Sequence, residues 1–374
     1  MTLHFSHRPA GTYGTGTASS PYADRDFEKR MAANPLAVAR LHSDAVCNVR
    51  GNFVGFRPRN HVLGEPGSVI RLVNPVDEGS NQCTALAAAD EGLTFQGFRL
   101  DVNGNAHTNL PGCIFKGIQM QGANNRIADV TVVGTRCLKD VGETWAILIL
   151  AAHTRSWNNL IERCHVTGFL GTGTQGNGIS IAGGIVNGFN CHASGTVRDC
   201  FVEGATQAAY MVGASEGVSF INSHAEDCEM GYYNDTGDVI DLSFLKCQFR
   251  RCRAGIVQAA THTEGKPMGC RNMVIDGCTL QLAPNGITCL TVVANGGNVT
   301  GLQVRNTTLS IAAGLPSLGV FDGANHQATV YFDAVPGYVI RDCHASGNRT
   351  GINAKKVWGT MPAEFMAGFQ EATA

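Results

Sequence analysis

Residues 159–168 read NLIERCHVTG and residues 338–347 read YVIRDCHASG. Both strings run through an apolar residue, two positions, a small residue or Cys, one position, and another apolar or small residue. The pattern occurs nine times. Its first, fourth and sixth positions fall at Phe95, Phe98 and Leu100; Ile127, Val130 and Val132; Ile161, Cys164 and Val166; Val197, Cys200 and Val202; Phe220, Ser223 and Ala225; Phe244, Cys247 and Phe249; Ile275, Cys278 and Leu280; Val304, Thr307 and Leu309; and Ile340, Cys343 and Ala345. Successive fourth positions are separated by 32, 34, 36, 23, 24, 31, 29 and 36 residues. One duplication does not produce nine copies. A body in which every turn obeys one template, with elastic loops between, does.

A second theme precedes most copies: GIQMQGA at 117–123, AILILAA at 146–152, GISIAGG at 178–184, AYMVGAS at 209–215, GYYNDTG at 231–237, GIVQAAT at 255–261, GITCLTV at 286–292, LGVFDGA at 318–324 and GINAK at 351–355. Each reads as a short strand beside a bend, so each turn carries at least two strands. Units too short to bury a face alone must cover one another, which is the logic of a solenoid. The LxxLxLxxN signature of leucine-rich horseshoes is absent, and propeller blades require four strands at steadier spacing. The expected fold is all-β, a single-stranded right-handed parallel β-helix of about ten to twelve coils with a short N-terminal cap. Its coils rise about 4.8 Å apiece, so equivalent residues stack in columns.

This arrangement explains the cysteines. Of the 14, Cys164, Cys200, Cys247, Cys278 and Cys343 share the fourth template position. They are expected to form an interior ladder, interrupted by Val130, Ser223 and Thr307, of free thiols that pack as small hydrophobes. No CxxC pair suggests zinc or redox catalysis. The expected organisation is an N-terminal arm and capping helix over 1–49, the β-helix over 50–355, and a tail or cap over 356–374. The stretch ADRDFEKRMAANPLAVARL at 23–41 supplies the helix, broken by Pro35.

Composition narrows the partners. Apolar residues make up 44% of the 374-residue chain, charged residues only 16%, and 28 Lys plus Arg nearly balance 30 Asp plus Glu. Nothing here forms the basic footprint of a nucleic-acid protein. No stretch approaches a membrane span, and MTLHFSHRPAGTYGTG lacks the apolar core of a leader. The sequence therefore reads as cytoplasmic or virion-associated, and as secreted if a leader has been removed. GTGTQGNG at 171–178 lacks the lysine and the following helix of a phosphate-binding loop.

The coil pattern over roughly 50–355, with the first-coil segment RNHVLGEPGSVIRL, resembles the pectate-lyase-like superfamily of right-handed parallel β-helices. That superfamily includes polysaccharide lyases, glycoside hydrolases, fructan transferases and phage tailspike depolymerases. The resemblance implies a polysaccharide or oligosaccharide substrate and a homotrimer. It carries no catalytic motif, because the DPHE run of mannuronan epimerases and the paired-Asp motifs of polygalacturonases are missing.

In such a fold, chemistry is assembled across coils from outward-facing residues. Counting seven residues from the Gly of the second theme gives Glu216, Asp238 and His262 on consecutive coils, with Asp235 and Tyr233 nearby. If Glu216 and Asp238 stack, their carboxyl groups lie about 5 to 6 Å apart. Such proximity separates the roles of acid and of nucleophile or base. His262 would move the proton, and Tyr233 would form a sugar-stacking wall. A second group, Lys139, Asp140 and Glu143 with His153 and Arg155, would suit elimination from a uronate, in which Arg or Ca²⁺ neutralises the developing enolate. Asp140 and Glu143 alone are too few ligands for calcium, so neither metal nor cofactor is expected. The 260–271 insertion, ATHTEGKPMGCR, adds Glu264 and Lys266 to a groove wall. Lys355, Lys356 and Trp358 form a charged coil end.

The leading expectation is a carbohydrate-active enzyme that cleaves or transfers a glycosidic bond with paired carboxylates. The alternatives are a polysaccharide lyase and a noncatalytic glycan-binding or tailspike fibre protein.

Overall fold

A computed structural model describes residues 1–346, except 35, 51–60, 74–81, 90, 103–113, 135–143, 152–154, 169–175, 187–188, 235–236, 260–261, 264–265, 268, 284–285, 287, 294–297, 312–319, 322–323, 326–329, 334 and 336. The chain winds as a right-handed parallel β-helix with three long parallel sheets, called I, II and III in the order each turn visits them. One turn shows the plan. Arg126–Ala128 lies in sheet I, Thr131–Val133 in sheet II and Thr144–Ala151 in sheet III, before Ser156–Glu162 re-enters sheet I. Sheet II has 11 strands, which sets the number of turns among the described residues at eleven.

All nine template segments occupy the corner between sheets I and II. The first position faces inward at the end of a sheet I strand, the fourth sits at the bend, and the sixth, from Leu100 to Leu309, faces inward in sheet II. Immediately before each fourth position stands a residue with positive φ: Gly97, Asp129, Arg163, Asp199, Asn222, Lys246, Gly277, Asn306 and Asp342. One left-handed residue turns the chain while keeping corner length constant, and that constancy made the repeat legible.

The bend also explains the choice of Cys, Ser or Thr. Each of these side chains donates to the carbonyl two residues back: Cys200 to Arg198, Ser223 to Ile221, Cys247 to Leu245, Cys278 to Asp276, Thr307 to Arg305 and Cys343 to Arg341. Cys164, Cys200, Cys247 and Cys278 are buried, and the described cysteines are free thiols. Burial pushes the Cys270 thiol up to about 12 and raises Cys289 further.

The core is a set of stacked columns. Phe220 and Phe244, one turn apart and paired in register, stack at 5.1 Å with their planes 8° apart. Tyr232 meets Phe244 edge-on at 4.8 Å. The fully buried tyrosine hydroxyls are satisfied: Tyr210 donates to the His224 carbonyl at 2.6 Å and Tyr232 to Gln258 at 3.0 Å.

Phe27–Ala33 forms the capping helix after a short 3-10 turn, and its Phe27 and Met31, four apart, are fully buried. Phe27 meets Phe5 at 5.2 Å, closing the first turn. Two expectations need correction. Val38–Leu41 and Val46–Val49 already pair in register with His61–Gly64 and Val69–Leu72, so the solenoid begins ahead of residue 50. LGVFDGA does not enter sheet III either. Val320–Phe321 and Ala324–Asn325 make a separate antiparallel hairpin, and Val330–Asp333 fills the sheet III position. The segment GINAK and the tail with Lys355, Lys356 and Trp358 lie outside the described residues.

Candidate functional site

The corner from sheet III back into sheet I collects the polar residues. Ser156, Ala193, Ser215, Val239 and Cys270 pair successively across five turns. The residues just before them therefore form one column: Arg155, His192, Ala214, Asp238 and Gly269. Glu216 lies one position beyond Ser215, in the column of Ile240 and Arg271.

Glu216 reaches back toward the two preceding turns. Its carboxylate accepts a hydrogen bond from the Arg155 guanidinium and stands 3.5 Å from His192 Nδ1. Three turns thus contribute to one cluster, graded from a 56% exposed arginine through a 40% exposed carboxylate to a 19% exposed imidazole. Asp238 completes the ridge: its Oδ1 accepts the Gly269 amide hydrogen at 2.6 Å, and its carbonyl accepts the Ser215 amide hydrogen at 2.9 Å. Gly237, at φ +82°, lets the chain pass over Ala214, where a Cβ would come within 2.4 Å of the Ala214 nitrogen.

The structure brings together Arg155 and Glu216, which the sequence divides between two groups, and places Asp238 one turn further along the same corner. It does not stack Glu216 on Asp238. Glu216 pairs with Ile240, so one turn and two residues along the strand separate the acids, about 8 Å between Cα atoms instead of one rung. His192 was missed. It arrives on an antiparallel hairpin of Gly176–Val186 with Phe189–Cys191, an excursion that no template count reveals. Its pentapeptide CHASG at 191–195 recurs at 343–347, but there it leads into sheet II. Identical strings therefore occupy different places in the coil.

The other expected residues scatter. Tyr233 is half-buried on the outer face of sheet III, against Ala208, Met211, Met230, Ala254 and Val257. His262 pairs with Pro267 and Lys266 with Thr263 in a small hairpin on the 260–271 insertion. Asp235, His153 and Glu264, together with Lys139, Asp140 and Glu143, lie outside the described residues. Among the described residues, no group of three or more His, Cys, Asp or Glu is arranged to hold a metal ion.

A second ionic cluster lies on the outer face of sheet I. Glu162, 3% exposed, receives Arg126 at 2.6 Å, Arg163 at 2.9 Å and Arg198. Burial pushes its carboxyl up, but the three guanidiniums outweigh that and hold it at about 2. Its charge is fully compensated, so it joins turns instead of offering a free group.

No protein-family profile matches the sequence, and no curated protein sequence matches it. Solved structures do resemble it. A polygalacturonase from Erwinia carotovora ssp. carotovora superposes with a TM-score of 0.52 at 9% identity, covering 95% of this chain and 96% of that one. A GH136 lacto-N-biosidase from Eubacterium ramulus gives 0.50 at 10% identity, covering 91% and 67%. At such identities the likeness is one of fold, and this chain shares with both proteins the right-handed parallel β-helix.

Proposed function

We propose that this β-helix is a carbohydrate-active enzyme working on a glycosidic bond of a polysaccharide or oligosaccharide, with Glu216 and Asp238 as its paired carboxylates. The observation that carries the reading is the Glu216 cluster: an accessible carboxylate fixed between Arg155 and His192 by three separate turns. A solvated turn residue does not need such support. The Glu216–His192 pair delivers the proton to the leaving oxygen, while Arg155 orients the Glu216 carboxylate. Asp238 polarises the attacking water.

Elimination from a uronate is the second reading. Arg155 and His192 together are the neutralising cation and the base that it needs.

The test is a glycan panel assayed for new reducing ends and for the ultraviolet absorbance of unsaturated uronates. Hydrolysis gives reducing ends without absorbance, and elimination gives both. Glu216→Gln is expected to lower kcat at least about 100-fold, the usual scale for an acid–base group. Wild-type turnover in that variant would remove Glu216 from the chemistry. Binding without turnover by the wild type would favour a noncatalytic glycan-binding or tailspike protein, and sedimentation would test the expected homotrimer.

A further inference from the structure

The same turns carry a second polar concavity at the other end of their sheet III strands. Gly204, Ala205 and Thr206 lead into Ala208–Val212, Cys228 and Glu229 into Met230–Asn234, and Arg253 into Ala254–Ala259. Together with Asp227, Arg251 and Ala283 they line a cavity of about 380 Å³. That is the lower part of the range for small-molecule sites, about 300–1,000 Å³.

Two ion pairs build its polar wall. Arg251 grips Asp227 through two bonds of 2.8 and 2.7 Å and also reaches Glu226 at 2.6 Å. Arg253 meets Glu229 at 2.5 Å. The arginines come from one turn and the carboxylates from the turn before, so guanidinium N–H groups and carboxylate oxygens alternate along the wall. Each hydroxyl of a vicinal diol both donates and accepts, so this alternation matches a diol better than a lone cation or anion would. The remaining lining is small, and apolar apart from Thr206: Gly204, Ala205, Cys228 and Ala283. Such a floor fits the C–H face of a sugar ring. The lining carboxylates Asp227 and Glu229 are balanced by Arg251 and Arg253, so the cavity offers no uncompensated cation to a uronate or sulfated unit.

We infer that this cavity is a saccharide-binding pocket for one neutral sugar unit, separate from the Glu216 ridge. The inference rests on the carbohydrate reading for its ligand class, but not on Glu216 for its geometry.

The experiment uses the full chain carrying Glu216→Gln, so that ligands survive, and titrates neutral and uronate oligosaccharides by calorimetry. Two pocket variants are compared. Ala283→Trp fills the cavity, and Glu229→Ala with Arg253→Ala removes one ion pair without changing net charge. Circular dichroism identifies any variant that fails to fold, in which case the other decides. The expected result is a neutral oligosaccharide whose affinity falls about tenfold or more in the folded pocket variants, with uronates unaffected. Equal affinity in wild type and pocket variants, no neutral ligand at all, or a loss confined to uronates would overturn the pocket. None of these outcomes bears on Glu216, whose role is read separately from turnover.

Discussion

Glu162 shows how a solenoid treats a buried charge. It sits beneath Arg126, Arg163 and Arg198, which belong to three successive turns of sheet I. Its folded value of about 2 lies below the ordinary 4.5, so its contribution is present above pH 4.5 and lost as the pH falls toward 2. The arginines are between 35% and 45% exposed, and solvent screening reduces the contribution to about 1–2 kcal/mol. Glu162→Gln is therefore expected to lower stability by that amount at neutral pH. In urea unfolding at stepped pH, the gap from wild type should shrink between about 4.5 and 2. A gap that stays constant would mean that the arginines do not set the charge of Glu162.

At the scale of the element, the corner between sheets I and II is the unit that repeats. Lys246 is exposed with φ at 56°. Lys246→Val should cost about 1–2 kcal/mol because a β-branched side chain is strained there, whereas Lys246→Gly should be nearly neutral. Equal melting temperatures for both variants would show that the bend does not need the left-handed residue. The neighbouring ladder gives a second comparison. Ser223 and Thr307 occupy the positions that Cys200 and Cys278 fill in other turns, so Cys200→Ser should be tolerated within about 1 kcal/mol. Cys200→Leu should cost about 1–3 kcal/mol by overpacking the narrow corner. Comparable losses would contradict the ladder. This corner was legible in the sequence because it has one length throughout. The corner between sheets III and I was not. It contains a hairpin that ends at Cys191, and register shifts between Ser156 and Asn159 and again between Ala193 and Gly195. Between the pairing of Met211 with Tyr233 and that of Ser215 with Val239 the later turn spends two more residues than the earlier one, so counting from a glycine placed Asp238 two positions away from its true alignment, and the hairpin hid His192.

For the whole molecule, stacking turns local accidents into long-range geometry. Arg155 and Glu216 are separated by 61 positions, yet they share a hydrogen bond because two intervening turns rise by one rung each. The fold was readable from the inward columns, since a side chain buried in a narrow core leaves a periodic trace. The candidate site was only partly readable, because outward residues answer to no common template and depend on where each loop ends. The reading of the ridge, the sugar pocket and the thiol ladder all require adjacent turns in parallel register. Ser219 and Ser243 expose that requirement directly: they pair across neighbouring turns, and their Oγ atoms lie 2.9 Å apart. With Cys at both positions, mild oxidation should join residues 219 and 243 in nearly every molecule, seen as a linked peptide by mass spectrometry, since in-register Cα atoms stand within disulfide range. If both introduced thiols alkylate freely in the folded protein and no linked peptide forms, the turns do not stack as described.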